Sequence, residues 1–358
     1  MNVMGFTQKL FHKVNVFEKD DTYNLRGLCM IAIIIHHLYQ FLAYQYGFDF
    51  GVVGNIFLQA LGYLATSVFF LVSGFGLYYS ICKQKKITAK YIFLHYYKLI
   101  LPFIFVWLIS AISFILYKEG SLSNITNTLL NLSLPQGGCI WFFNEILILY
   151  GLVYLTFSLV ENDIMRLSGI SVLVLLWVYI CAFQLKWGSN WYNSVLCFPI
   201  GLWISYYKLK HKDCWKKNYR LHRLVKISVP LFFVVFFVAQ SINPSRYCQA
   251  GLEHFCKSIA LIGSAISFSV ISIIIVSRIN IRCGLFRYYG RHSLIFYISQ
   301  IFLLSFYEIK SPLAYSALVV FGSLFMVLLY SPLEKFVERI INSSKRNIIN
   351  NKPSSPIR

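Results

Sequence analysis

Apolar residues in this chain gather into long runs, and short clusters of basic and polar residues separate them. A helix needs roughly 20 mostly apolar residues to cross a bilayer. Segments that meet this requirement fall at about 25–44, 55–81, 99–117, 141–160, 167–185, 191–207, 227–241, 256–277, 288–307 and 312–333. The pattern predicts an all-α, polytopic membrane protein with about ten transmembrane helices. The loop near 185–191 is short and the seventh segment is brief, which leaves nine or eleven crossings open.

Charge orders these segments. Cytoplasmic loops of membrane proteins carry the excess of Lys and Arg. With the N-terminus inside, all but five of the 33 Lys and Arg fall in inside segments. The five outside are Lys118, Lys186, Arg246, Lys257 and Lys310. One missed span would destroy that alternation, so both termini are expected in the cytoplasm. The formal charge of +20 would point to nucleic acid in a soluble protein. Here the cations sit between apolar runs, which suits topology and anionic headgroups.

Composition agrees: 58% of residues are hydrophobic and 13% charged, against about 25% charged in soluble domains. The 25 Tyr and 7 Trp suit membrane–water interfaces. The expected organisation is one integral membrane domain over 1–341, then a basic, disordered cytoplasmic tail over 342–358. No cleavable signal peptide, internal repeat or appended soluble domain is expected. The nine cysteines show no metal-ligand spacing and no CxxC pair. Cys29 and Cys181 lie in apolar runs and read as small hydrophobes. Cys139, Cys248 and Cys256 are expected outside, where one disulfide could form. No bound metal or cofactor is expected.

Ionisable groups inside spans are costly, so each is a functional candidate. The first span carries Asn24-Leu25-Arg26-Gly27-Leu28 and then His36-His37. His37 lies eleven positions after Arg26, roughly 16 Å deeper on a helix and turned by only about 20°. His36 is turned about 80° away. Spacing therefore selects His37 as the partner of Arg26. A neutral imidazole can take a proton from a hydroxyl, and a guanidinium can hold a phosphate. The structural alternative is a snorkelling Arg and a His bonded to a neighbouring helix.

The sequence resembles acyltransferase family 3, integral membrane enzymes that acylate bacterial surface polysaccharides. Arg26-Gly27 with His37 is one match. Others are Phe69-Phe70-Leu71-Val72-Ser73-Gly74-Phe75, a basic segment leading to Pro102, and Trp141-Phe142 with Tyr150. The last is Gly290 with Ser293 and Tyr297. Five such features in order on ten spans make the resemblance specific. It implies transfer of an acyl group, usually acetyl from cytoplasmic acetyl-CoA, to a glycan hydroxyl. It also assigns function to Arg26 and His37.

Three positions depart from the family pattern. His95-Tyr96-Tyr97-Lys98 stands where an Arg-x-x-Arg is common, so a bidentate guanidinium is replaced by point charges. Gln300 stands where a His is frequent and cannot do acid–base work. Glu145 comes four residues after Trp141 instead of five or six.

The expected enzyme is an O-acetyltransferase of the bacterial inner membrane. Acyl-CoA phosphates would lie near Arg26, Lys98 and His95, and His37 would be the general base. Ser73, Tyr150, Ser293, Tyr297 and Glu145 are expected to line the cleft. The expected partners are acyl-CoA, a glycan or lipid-linked oligosaccharide acceptor, membrane lipids and polysaccharide-assembly proteins, with no nucleic acid. For Ser73-Gly74 the alternative is close helix packing, for the tyrosines a buried, satisfied hydroxyl. For Lys83, Lys85 and Lys86 the expected role is topology and headgroup contact. A lipid-linked glycan flippase is the main rival and would leave the Arg26–His37 spacing unexplained. A polysaccharide polymerase is a second rival, but the longest outer loop, about 118–140, is modest.

Overall fold

The computed structural model describes residues 19–84, 88–118, 122–136, 140–210, 219–241, 250–276, 283–306 and 308–350. Among these the secondary structure is helical throughout, with no strand. The helices are α1 (Lys19–Tyr46), α2 (Gly51–Cys82), α3 (Ala89–Lys118), α4 (Leu122–Leu130), α5 (Trp141–Leu159), α6 (Asp163–Tyr179) and α7 (Cys197–Lys210). Then come α8 (Tyr219–Ser241), α9 (Ala250–Val276), α10 (Gly284–Arg291), α11 (Ser293–Leu304), α12 (Pro312–Ala317) and α13 (Ser323–Asn350). Wider π-helical turns follow α6 at Ile180–Gln184 and join α12 to α13 at Leu318–Gly322.

Each of the ten expected segments contains a helix, but the described helices long and apolar enough to cross a membrane number seven. Two more are apolar but shorter, Ile227–Gln240 and Ser293–Leu304. The segment expected at 191–207 is shortened by Gly188-Ser189-Asn190, which starts a 3₁₀ turn and delays α7 to Cys197. The segment expected at 288–307 is two helices, broken at His292 (φ −103°, ψ 21°). The last helix runs to Asn350, past the expected start of the tail at 342. Cys139, Cys248, Lys85 and Lys86 lie outside the described residues. Cys256 is a free, exposed thiol on α9.

The chain divides into two compact units. The first comprises Met1–Tyr96 and Ile140–Ser293. Its axis is α2, packed against α1, α7 and α9. From Ala60 to Ile81 nearly every residue of α2 is buried. Glycines set the closest approaches. A Cβ on Gly74 would collide with the Phe198 carbonyl of α7, and one on Gly201 of α7 would collide with the Leu71 carbonyl of α2. Gly27 of α1 and Gly290 of α10 repeat the device: added Cβ atoms would meet the carbonyls of Phe286 and Tyr23. Small residues let membrane helices approach backbone to backbone, gaining van der Waals contact.

A polar clamp joins α2, α6 and α7. Asp163 receives Arg166 at 2.9 Å and Lys210 at 3.6 Å. The Tyr78 hydroxyl donates to the same carboxylate at 3.2 Å. Asn162 caps α6 by accepting from the Ile164 and Met165 amides.

The second unit comprises Tyr97–Cys139 and Leu294–Arg358. In it the Trp107 indole donates to Thr128 at 3.2 Å, tying α3 to α4. Gln136 donates to Ser113 at 2.8 Å and accepts from Ser305. The Tyr315 hydroxyl donates to the Leu304 carbonyl at 3.1 Å and holds α12 to the end of α11.

Candidate active site

Arg26 begins the third turn of α1, where Gly27 lets α10 lie against the backbone. Its side chain is half-buried, and its Nε has no hydrogen-bond partner among the described residues. The Tyr150 hydroxyl of α5 stands within Coulomb range of the guanidinium and is hydrogen-bonded to Ser73 of α2. Three residues far apart in sequence, Arg26, Ser73 and Tyr150, therefore meet. Gly74 makes the close contact with α7, which leaves Ser73 as the residue of the pair that faces Tyr150.

The two histidines separate as the helix period predicts. His36 is buried, its Nδ1 lies 2.8 Å from the Leu58 carbonyl, and its ring fills the place of a Cβ on Gly62. It is a packing residue between α1 and α2. His37 is half-buried, with its ring 5.5 Å from that of His36.

Helix α2 serves as a ruler for depth. Gly62 touches His36, Ser73 bonds Tyr150 beside Arg26, and Ser80 accepts the Tyr91 hydroxyl at 2.8 Å. The steps along the axis are roughly 16 Å and roughly 10 Å. At the Ser80 end, Tyr91 and His95 of α3 meet Tyr154 of α5. Ring centroids are 4.3 Å apart for Tyr91–His95, 6.2 Å for Tyr91–Tyr154 and 6.1 Å for His95–Tyr154. Tyr154 also touches Tyr96 and Tyr150. Between Ser73 and Ser80, on the same face of α2, Gly76 is exposed in an otherwise buried stretch, and a Cβ there would meet nothing within 4 Å.

The remaining expected residues lie as follows. Glu145 is 1% exposed and faces α6, where the Trp177 indole donates to it at 3.3 Å. Ser293 opens α11 just after the α10–α1 crossing. Lys98, Tyr297 and Gln300 belong to the second unit, and Tyr297 and Gln300 are buried there. Lys83 lies over the Tyr79 ring at 4.3 Å. Among the described residues no group of His, Cys, Asp or Glu could hold a metal ion.

Residues 23–333 match the family model described as an acyltransferase domain, acyltransferase family 3. The chain belongs to that family. It is a multi-pass membrane acyltransferase, and the match spans every element from α1 into α13. No curated protein and no solved structure gives a match.

Tyr91, Tyr154 and Gly76 escaped the sequence reading. Tyr91 and Tyr154 look like ordinary interface aromatics; Tyr91 is one turn from His95 on α3, and only the crossing of α3 and α5 puts Tyr154 beside both. Gly76 stands two residues after Gly74, and only the structure separates the glycine that packs from the one that does not.

Proposed function

We propose that this acyltransferase moves an acyl group, most often acetyl, from cytoplasmic acyl-CoA to a hydroxyl of a cell-surface or exported polysaccharide. The observation that carries this reading is the gathering of Arg26, Tyr150 and Ser73 at one level of the first unit, with His37 roughly 16 Å further along α1. Arg26 binds the donor's diphosphate, assisted by His95. The extended arm of CoA spans the gap and delivers the thioester to His37. His37 accepts the proton of the sugar hydroxyl as its oxygen attacks the thioester carbonyl. The C–S bond then breaks, and the thiolate leaves and takes up the proton from His37. Ser73, Tyr150 and Ser293 line the path, and no cofactor beyond the acyl-CoA substrate takes part. Glu145, turned to Trp177, positions α5 against α6.

The enzyme works in the bacterial inner membrane with ten crossings and both ends in the cytoplasm. Its acceptor is a glycan or lipid-linked oligosaccharide, supplied by polysaccharide-assembly partners. The flippase reading does not suit a chain that matches an acyltransferase over residues 23–333.

Glycan O-acetylation in cells lacking the native protein tests this. Complementation with His37→Ala or Arg26→Ala, at membrane levels equal to wild type, is expected to give no acetyl ester, while His36→Ala retains it. Full acetylation by the His37 and Arg26 variants would make the pair structural.

A further inference from the structure

Tyr154 is the most deeply buried member of the aromatic group at the Ser80 end of the site. It is 4% exposed, and its hydroxyl has no hydrogen-bond partner among the described residues. Its neighbours are accounted for: Tyr91 donates to Ser80, Tyr96 donates to the Leu147 carbonyl at 3.0 Å, and Tyr150 bonds Ser73. An orphaned buried hydroxyl costs desolvation and returns nothing, so it calls for a partner from outside the protein.

The surroundings say what that partner is. Tyr154 follows Tyr150 by one turn, about 6 Å along α5 and away from the histidines. It therefore lies on the far side of Arg26 from His37. On α2, between Ser73, which bonds Tyr150, and Ser80, which bonds Tyr91, Gly76 leaves open space in the one exposed position of the buried stretch. Further along, Lys83 and Lys208 stack on Tyr79. A donor O–H one turn from Tyr150, whose own neighbour is the Arg26 guanidinium, and in ring contact with His95 suits phosphate oxygens.

We infer that the Tyr154 hydroxyl is a binding group for the diphosphate of the acyl donor, acting together with Arg26. This rests on the acyl-CoA reading above. The thioester end lies at His37, so Tyr154 serves affinity and leaves the acyl-transfer step alone.

Tyr154→Phe removes the hydroxyl and keeps the ring, so the aromatic packing survives. In the purified full-length protein, the variant's affinity for CoA falls by roughly tenfold, the worth of one hydrogen bond to a charged acceptor. Its melting temperature without ligand is unchanged or higher, because no protein partner is lost. Turnover of acetyl-CoA shows a raised KM with kcat kept, while kcat/KM for S-acetylpantetheine, which lacks the diphosphate, is unaffected. Tyr96→Phe is the matched control: it loses the bond to Leu147, lowers the melting temperature and leaves CoA affinity alone.

Equal CoA affinity in wild type and Tyr154→Phe would overturn the inference, as would a large drop in the unliganded melting temperature. A changed response to phosphatidylglycerol with unchanged CoA binding would assign the phosphate to a lipid and overturn it too. If wild type itself binds no CoA, the donor reading fails, and this inference fails with it.

Discussion

His36 and His37 are adjacent in sequence and different in environment. The helix turns about 100° per residue, so one ring enters the α1–α2 contact and the other does not. His36→Ala removes the bond to Leu58 and empties the space beside Gly62. It should lower stability by on the order of 2 kcal/mol and leave the specific activity of the folded fraction intact. Melting of the purified variant, with turnover normalised to folded protein, measures both. Tyr150→Phe cuts the tie to Ser73 beside Arg26. Acyl transfer should fall by about tenfold at unchanged membrane level, read by single-variant kinetics. At this scale the shared helix face of Arg26 and His37 was legible, because both lie on one helix. The company of Tyr150 and Ser73 was legible only as family motif, since three helices must cross before those atoms meet.

At the scale of elements, two glycine crossings fix the frame that holds the site. Gly27 and Gly290 bring α1 and α10 into backbone contact, and Gly74 and Gly201 do so for α2 and α7. Carbonyl groups occupy the space, and backbone cannot step aside as a side chain can. Gly290→Leu should therefore push α10 off α1 and reduce the yield of folded protein severalfold, seen by fluorescence-detected size exclusion. Gly76→Ala should be neutral or stabilising in the same assay, since it meets nothing and Ala favours the helix by about 1 kcal/mol. The contrast between two glycines separated only by Phe75 is invisible in sequence. The expected segment at 288–307 is broken in two for a related reason: hydropathy averages over the break at His292 and hides a short helix that contacts Gly27.

For the whole molecule, charge is the governing quantity. All but five Lys and Arg lie in segments assigned to the cytoplasm. Reporter fusions after Lys83, within 208–226 and at Arg358 should all report the cytoplasm, and one within 118–140 the opposite side. A fusion after Lys83 facing outward would invert the topology and remove cytoplasmic CoA from reach of Arg26. The Asp163 clamp joins Arg166 and Lys210, both in segments that this charge pattern assigns to the cytoplasm, to Tyr78.

The class of protein, the order of its apolar segments, its family and the shared face of Arg26 and His37 were all readable from the order of residues along the chain. Each of these depends on composition or on the period of one helix, which are local quantities. Crossings in three dimensions settled which helices are too short to cross unaided, which glycines pack and which stands open, and that Ser73, Tyr150 and Arg26 come together with Tyr154 beside Tyr150. Those outcomes depend on crossings between helices far apart in the chain, and no local period encodes where two helices cross.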